Sequence, residues 1–201
     1  MYLENPKKFG MLVEQAHQVA LNVLRPISRK YDKAEHAYPK ELDMLASLLD
    51  GMNEGAPGSA GATSATGGSS NSNAGEVKNG SNMSTALGIM EMCWGDVGLL
   101  LAMPRQGLGN AAIAAVANDE QLERFKGTWA AMAITEPNCG SDSAAIRTTA
   151  VKDGDDYILN GEKIYVTSGA RADSVVVWAT LDKNIGRAAI KSFVVKHGTP
   201  G

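Results

Sequence analysis

Apolar residues near the start of the chain recur at three- and four-residue steps, which is the period of one buried helix face. Leu12, Val19 and Ile27 belong to such a run, and it predicts a helix from Pro6 to about Tyr31. Proline lacks a backbone donor and crowds the preceding turn of a helix. Pro26 is therefore expected to kink or divide this helix.

Further helices are predicted from the same period. One runs from Pro39 to about Met52, and another, apolar enough to be a core helix, runs from Met83 to Leu101. The alanine- and glycine-rich tract Gly107–Ala117 suits a helix packed closely against another helix. Asn118 with Gln121 three residues later resembles a capping box, which opens a short helix.

Residues 54–82 interrupt this helical region. They consist mostly of Gly, Ala, Ser, Thr and Asn, with almost no large apolar residue. Such a segment buries too little surface to offset the entropy of ordering it. It is predicted to be a flexible loop, and a tolerated surface insertion is favoured over a mobile lid or a partner-binding segment.

After Gly127 the pattern changes to short β-branched and aromatic runs between turn-forming residue pairs. The runs that predict strands are Thr148–Ala150, Tyr157–Leu159, Val175–Ala179 and Ser192–Val195. The pairs Asp153-Gly154 and Asn160-Gly161 predict hairpin turns.

Helices followed by strands indicate an α+β chain. We predict an all-α N-terminal domain over residues 1–127 and a β-sheet middle domain over residues 128–201. Because the last strand runs to the final residues without closing the sheet, we expect the middle domain to be incomplete and the chain to be part of a longer gene product.

Composition and charge narrow the class of protein. The chain has 44% hydrophobic and 20% charged residues, as soluble globular proteins do. Its longest apolar stretch, Val97–Met103, is far shorter than the roughly 20 residues of a membrane span. No basic segment leads into an apolar one at the N-terminus, so we expect a cytoplasmic protein. The net charge of −3, without a basic stripe, argues against a nucleic-acid partner.

Candidate chemistry lies just after the boundary between helices and strands. The segment Met132–Asp142 is a short apolar strand that enters a tight polar loop. Strand backbone groups and the Thr135 hydroxyl can hydrogen-bond the edge of a planar heterocycle. The missing side chain at Gly140 lets a bulky anion approach, and the Ser141 hydroxyl can bind a phosphate oxygen. Cys93 and Cys139 lack metal-ligand spacing, so we expect no metal site and no structural disulfide.

Two motifs carry a resemblance to a known family. The sequence A-I-T-E-P-N-C-G-S-D-S from Ala133, followed by Y-I-L-N-G-E-K-I-Y-V-T-S-G from Tyr157, resembles the paired signatures of the acyl-CoA dehydrogenases. The resemblance follows the family's domain order along essentially the whole chain, with residues 54–82 as an extra loop. It implies a barrel-like middle domain, and a C-terminal helical domain that these residues do not contain.

The resemblance also implies a cofactor site. In that family the first motif contacts FAD along the strand and at the pyrophosphate, and the second places an aromatic residue and a threonine beside the isoalloxazine. The FAD-binding residues that it implies are Met132, Ile134, Thr135, Gly140, Ser141, Tyr165, Val166 and Thr167. Ser141 is also expected to contact the acyl-CoA substrate. A threonine hydroxyl near the reactive flavin nitrogen can steady the electron-rich reduced cofactor.

Other polar residues near the motifs have a structural interpretation. Glu136 and Asp142, in a tight loop, are expected to accept backbone hydrogen bonds and not to act as bases. Lys163 is expected to be a solvated strand residue, and Asn160-Gly161 a hairpin turn without a role in a site.

The reaction that the resemblance implies removes a proton and a hydride from an acyl-CoA thioester, as in fatty-acid β-oxidation. Electrons would pass to an electron-transfer flavoprotein, and the protein would form homo- or hetero-oligomers, either dimers or tetramers. The family's glutamate base belongs to the C-terminal domain, so no catalytic base is assigned and this fragment alone should be inactive or weakly active. Two alternatives stay open: a flavin-dependent oxidase or monooxygenase of the same fold, and a non-catalytic partner subunit.

Overall fold

A computed structural model describes residues 9–35, 37–53, 81–104 and 108–201. The segment predicted to be a flexible loop, residues 54–82, lies outside these ranges apart from its last two residues, which begin a helix. The described residues divide into two compact units, 9–104 and 108–201. The first is helical and the second contains a sheet.

The first unit opens with an interrupted helix. α1, Gly10–Val19, continues through a π-helical turn, Ala20–Leu24, into α2, Arg25–Ala34. Pro26 stands in the first turn of α2. Proline cannot supply the N–H that α-helical bonding requires, and the wider π turn just before it accommodates this. The predicted division of the helix near Pro26 is confirmed.

Two further helices complete this unit, α3 at Glu41–Asn53 and α4 at Ser81–Ala102. Both were predicted, but α4 is not regular throughout. Asp96 leaves helical geometry (φ −171°, ψ 118°). Its carboxylate accepts the backbone N–H of Leu99 at 2.8 Å, so Asp96 caps the last turns of α4 as a helix N-cap would.

The core of the first unit is made by large apolar side chains from these helices. Its buried members are Leu24, Leu42, Leu45, Leu99 and Met103. Gly95 allows α4 to approach the π turn closely, because a Cβ there would lie 2.9 Å from Ala20 Cβ and 3.0 Å from Leu24 Cβ. Any larger residue at position 95 would force these two elements apart.

One segment of α4, Met83–Ala102, is long and apolar enough to cross a membrane, judged by length and composition among the described residues (mean hydropathy 1.3). Part of its surface packs in the core, while Met90 and Val97 are exposed. The core helix of a soluble protein can have the same composition. This segment is longer than Val97–Met103, the stretch from which the absence of a membrane span was predicted. The absence of a span stays a prediction.

The second unit begins with α5, Leu108–Val116, which packs on the first strand, β1, Ala130–Ala133. A Cβ on Gly109 would lie 2.2 Å from the carbonyl oxygen of Ala131, so glycine is required for this approach. A helix partner was expected for this tract, whereas its close contact is with strand backbone. A glycine-rich surface allows either partner, and periodicity cannot distinguish them.

Side-chain amides secure the ends of these elements. The amide of Asn110 donates to the carbonyl of Thr128 at 2.6 Å and accepts from the N–H of Ala130 at 2.9 Å. The predicted capping box is confirmed, since Asn118 and Gln121 exchange side-chain and backbone bonds at the start of α6, Asp119–Arg124. Gly127, where the sequence pattern changes, lies inside this second unit, whose described residues are 108–201. The predicted domain limits stay predictions.

The remaining strands of the mixed sheet are β2 at Thr149–Asp153, β3 at Asp156–Asn160, β4 at Ser174–Thr180 and β5 at Ile190–Lys196. β5 pairs antiparallel with β4 along its full length. β1 runs parallel to the first part of β4, and β2 joins the end of β4 in parallel at Thr149 and Thr180. β1 and β2 thus follow one another along one edge of β4. The predicted α+β class is confirmed, and the predicted strands are present.

The two predicted hairpin turns have different outcomes. Asp153-Gly154 joins β2 to β3, with Gly154 in the left-handed region (φ 59°), as predicted. Asn160-Gly161 ends β3, but residues 161–166 form no strand, so the second hairpin prediction is wrong. A Cβ on Gly161 would lie 2.3 Å from Thr148 Oγ1, so this glycine serves a close approach between segments.

Candidate functional site

The two sequence motifs meet in the second unit. The backbone N–H of Ile164 donates to the carbonyl oxygen of Thr135 at 2.9 Å. The amine of Lys163 donates to the carbonyl oxygen of Ile134 at 3.0 Å. These bonds join the segment that follows β1 to the segment that leads into Tyr165, although they are far apart in sequence. Folding therefore brings together the elements from which the cofactor site was predicted.

The loop after β1 is a tight turn. Glu136 and Cys139 exchange backbone hydrogen bonds of 2.8 and 3.1 Å, which closes the turn across Pro137 and Asn138. Gly140 and Ser141 follow the turn and are exposed to solvent. A Cβ on Gly140 would make an ordinary 3.6 Å contact with Thr135, so packing within the described residues tolerates a side chain there.

Glu136 is the most tightly bonded side chain of this loop. It is buried, and its carboxylate accepts the backbone N–H groups of Arg147 at 2.6 Å and Thr148 at 2.9 Å. The Thr148 hydroxyl also donates to it at 2.6 Å. The prediction that Glu136 accepts backbone hydrogen bonds is confirmed. Asp142, for which the same role was predicted, makes no side-chain cap bond at the start of the 3-10 turn Ser143–Ala145.

Lys163 corrects a prediction. Its side chain is only 9% exposed, and its amine lies 2.8 Å from the Glu136 carboxylate. It was predicted to be a solvated strand residue, and lysine is rarely buried unless it is paired. The partner carboxylate comes from another segment, and only the fold reveals it.

The charge state of Glu136 follows from its contacts. Burial alone would raise the pKa of this carboxyl group, but hydrogen bonds from Lys163, Thr148 and the backbone N–H groups lower it to about 2. The group is therefore ionised at neutral pH, and its charge is balanced by the Lys163 ammonium.

The second motif ends in a turn with unusual backbone geometry. Tyr165 has φ 56° and Ser168 has φ 61°, both in the left-handed region that costs a non-glycine residue about 1–3 kcal/mol. The turn is held by a bond from Gly169 N–H to the Val166 carbonyl at 3.0 Å, while the Ser168 carbonyl accepts from Arg171. The Tyr165 side chain is 88% exposed. A strained backbone thus presents an aromatic ring to solvent, where a planar molecule can pack on it.

Some of the predicted FAD residues are hydrogen-bonded across the junction of the two motifs, and others are not. Ile134 and Thr135 are bonded to the segment just before Tyr165, whereas Met132 lies half-buried in β1, opposite Val176 of β4. Val166 and Thr167 are half-buried in the turn. Gly140 and Ser141 lie on the exposed side of the loop. Their assignments to FAD, and that of Ser141 to substrate, stay predictions.

The second unit also contains a cavity that sequence patterns did not reveal. It has a volume of about 210 Å³ and is lined by Arg147, Thr180 and Lys183 among others. The buried hydroxyl of Thr180 has no partner within the described part of the chain. Two cationic residues and a hydroxyl suit an anionic ligand. The residues come from separate segments, so neither spacing nor a motif could indicate that they share a cavity.

Comparison with known proteins identifies the family. The model of the acyl-CoA dehydrogenase middle domain matches residues 131–201, which contain both motifs and the sheet. Residues 131–201 therefore belong to the middle domain of the acyl-CoA dehydrogenase family. The recognition made from the two motifs is confirmed.

Relatives and solved structures agree with this identification. Cyclohex-1-ene-1-carbonyl-CoA dehydrogenase of Geobacter metallireducens is 45% identical over 86 residues, which are 41% of this chain and 23% of the relative. The structure of butyryl-CoA dehydrogenase from Megasphaera elsdenii is 28% identical with a TM-score of 0.73, covering 100% of this chain and 51% of that one.

A chain from the solved structure of the electron transferring flavoprotein of Acidaminococcus fermentans is similar at 27% identity and a TM-score of 0.73, covering 100% of this chain and 50% of that one. The chain thus spans about half the length of these solved structures. Helices followed by a mixed sheet are the corresponding part of the acyl-CoA dehydrogenase fold, as predicted.

Proposed function

We propose that this chain forms the flavin-binding half of an FAD-dependent enzyme that introduces an α,β double bond into an acyl-CoA thioester. The observation that carries the proposal is the junction of the two motifs. The bonds from Ile164 to Thr135 and from Lys163 to Ile134 hold the loop after β1 beside the segment that presents Tyr165. Named relatives are dehydrogenases of two different acyl-CoA compounds, which supports an acyl-CoA substrate but leaves the acyl group open.

The residues at the junction fit the chemistry of FAD. The flavin ring is planar with polar edges, and the pyrophosphate is anionic. Tyr165 offers an exposed aromatic face, and Gly140 with Ser141 offers exposed loop backbone and a hydroxyl. Bound FAD would supply the hydride acceptor. The chain's own residues would bind and orient the cofactor, with the Thr167 hydroxyl steadying its reduced form.

Glu136 does not fit the role of the base. A base must reach the substrate's α proton and should have a pKa near the working pH. The Glu136 carboxylate is buried, bonded to Lys163 and Thr148, and has its pKa lowered to about 2. We therefore do not propose Glu136 as the catalytic base, and the base stays unassigned.

The cavity beside β4 supports an anionic substrate. CoA carries phosphate groups, and Arg147 and Lys183 bring two cations to the cavity wall. We propose that this cavity receives one of these phosphates. Replacing Lys183 by Gln should raise the KM for acyl-CoA and leave the affinity for FAD unchanged, because the side chain would contact only the substrate. An unchanged KM would exclude this role.

The proposal includes partners and location. Because one similar chain belongs to an electron transferring flavoprotein structure, we propose that electrons pass to such a protein. Assembly into homo- or hetero-oligomers, a part in lipid metabolism and a cytoplasmic location belong to the same proposal.

The test uses the intact gene product. Purified protein should retain FAD or bind it on addition, and anaerobic acyl-CoA should then bleach the flavin's visible absorption. Butyryl-CoA and cyclohex-1-ene-1-carbonyl-CoA are suitable first substrates. A protein that neither retains nor takes up FAD would refute the proposal. Rapid oxygen consumption by the reduced flavin would instead indicate an oxidase, and bound FAD that no acyl-CoA reduces would indicate a non-catalytic partner subunit.

A further inference from the structure

We propose that Glu136 and Lys163 form a clamp that positions the Tyr165 segment against the loop after β1, so that the two halves of the flavin site keep a fixed spacing. The inference rests on the proposed FAD function. It assigns both residues as positioning residues, since neither needs to touch the cofactor.

The contacts of the clamp reach three separate segments. The Lys163 amine donates to the Glu136 carboxylate at 2.8 Å and to the Ile134 carbonyl at 3.0 Å. The same carboxylate accepts from the backbone of Arg147 and Thr148, which lie just before β2. The carboxylate therefore fixes the loop to the sheet, and the amine fixes the second motif to the loop.

The place of the clamp in the chain explains why it is needed. Residues 161–166 belong to no strand, so a regular ladder does not set their position. Lys163 stands two residues before Tyr165, which has left-handed backbone geometry at φ 56°. A strained residue persists when its surroundings hold it from both sides. The clamp and the Ile164 bond act on one side, and the turn closed by Gly169 acts on the other.

The environment makes this ion pair unlike a surface pair. The side chains of Lys163 and Glu136 are 9% and 7% exposed. By comparison, Lys126 and Glu123 are 70% and 75% exposed and lie 3.4 Å apart. An exposed pair is screened and loosely held, whereas a buried pair with additional hydrogen bonds has one geometry. The Glu123–Lys126 pair is thus a matched control in the same unit.

The experiment separates positioning from folding by changing both partners at once. The double variant Glu136→Gln/Lys163→Met removes both charges, so it leaves no unpaired buried charge. Its amide oxygen can accept from the N–H of either Arg147 or Thr148, which bond separate oxygens of the wild-type carboxylate. Its measurements, in the intact gene product, are the Kd for FAD, the visible circular dichroism of bound flavin, the urea midpoint of the apoprotein and hydrogen exchange at the Ile164 amide.

The double variant should lower the urea midpoint less than Glu136→Gln alone, because it leaves no unpaired buried charge. It should bind FAD about tenfold more weakly, alter the flavin dichroism and exchange the Ile164 amide faster. Glu123→Gln/Lys126→Met should change none of these. Lys163→Arg keeps the charge but not the reach of the amine, so an intermediate effect of about threefold on Kd is expected. If the double variant does not fold, Lys163→Arg decides.

Wild-type FAD affinity, unchanged flavin dichroism and unchanged Ile164 exchange in a folded clamp variant would overturn the inference while leaving the proposed function intact. Wild-type protein that binds no FAD would overturn the proposed function, and this inference with it. An equal loss of affinity in the Glu123 and Lys126 control would also refute the clamp.

Discussion

The backbone N–H of Ile164 lies 2.9 Å from the carbonyl oxygen of Thr135, and this bond continues the contacts of β1 beyond the end of its ladder with β4. The next residue along the chain, Tyr165, has an exposed ring. One hydrogen bond between non-ladder segments thus holds the residue before Tyr165 against the segment that follows β1.

Replacing Tyr165 by glycine should leave the fold intact and weaken the binding of FAD. Tyr165→Gly relieves a φ of 56° but gives the unfolded chain more freedom, so the free energy of unfolding should change by no more than about 1 kcal/mol. Loss of the ring should weaken FAD binding about tenfold, measured by titration of the apoprotein. Ser168→Gly is the matched control, because Ser168 also has left-handed geometry, φ 61°. Equal FAD affinities in the two variants would contradict the role of the ring.

Valine at Thr167 should affect the reaction more than the fold. The side chains have nearly the same shape, so stability should be little changed, while a hydrogen bond of about 1–1.5 kcal/mol to the reduced flavin is lost. Flavin reduction by acyl-CoA, followed by stopped flow, should therefore slow about tenfold. Thr149→Val in β2 is the control, since the Thr149 hydroxyl makes a weak 3.4 Å bond to the Asn160 carbonyl. Unchanged reduction in Thr167→Val would remove the residue from the site.

The fold could be predicted from local patterns where local patterns determine it. The helical period of apolar residues predicted α1 to α4. The spacing of Asn118 and Gln121 predicted the cap of α6, and the pair Asp153-Gly154 predicted the hairpin between β2 and β3. Each of these depends on neighbours within a few residues. The α+β class followed from their order.

The errors concern contacts between distant segments. Lys163 was expected in solvent, since a local sequence pattern does not reveal its partner Glu136, which lies 27 residues away. Asn160-Gly161 has the composition of a hairpin turn, but its glycine is required by Thr148 of another segment. The Arg147 and Lys183 cavity gave no signal for the same reason. Positions in the candidate site could be predicted from motifs, whereas their mutual bonds could not.

Close packing in the first unit predicts that Gly95 and Gly88, both in α4, differ in how they tolerate replacement by alanine. Gly95→Ala in α4 would place a methyl group 2.9 Å from Ala20 Cβ, so the unfolding free energy should fall by about 1–3 kcal/mol. Gly88→Ala makes only an ordinary 3.6 Å contact with Leu12, and alanine favours helix, so stability should rise by up to about 1 kcal/mol. Urea unfolding of the two variants measures both. A similar effect at both positions would show that α4 does not pack closely on the π turn.

The buried pair of Glu136 and Lys163 predicts how the free energy of unfolding changes at acid pH. The folded-state pKa of Glu136 is about 2, below the ordinary value of 4.5. A carboxyl group with a lowered pKa stabilises the fold above its unfolded pKa and loses that contribution as pH falls towards the folded pKa. The difference corresponds to roughly 3 kcal/mol at neutral pH, with little screening because the side chain is 7% exposed. The contribution should therefore be complete above about pH 5 and disappear between there and about pH 2.

The measurement compares wild type with Glu136→Gln by urea unfolding across this pH range. Below about pH 2 the wild-type carboxyl is neutral and Lys163 has lost its counter-charge, as it has in the variant at every pH. The two unfolding free energies should therefore approach one another as pH falls. Glu41→Gln serves as the control, because Glu41 also has a pKa of about 2, lowered by Lys30 and Tyr31, but its side chain is 37% exposed. A constant difference between wild type and Glu136→Gln down to the lowest pH would mean that the Glu136 charge does not stabilise the junction.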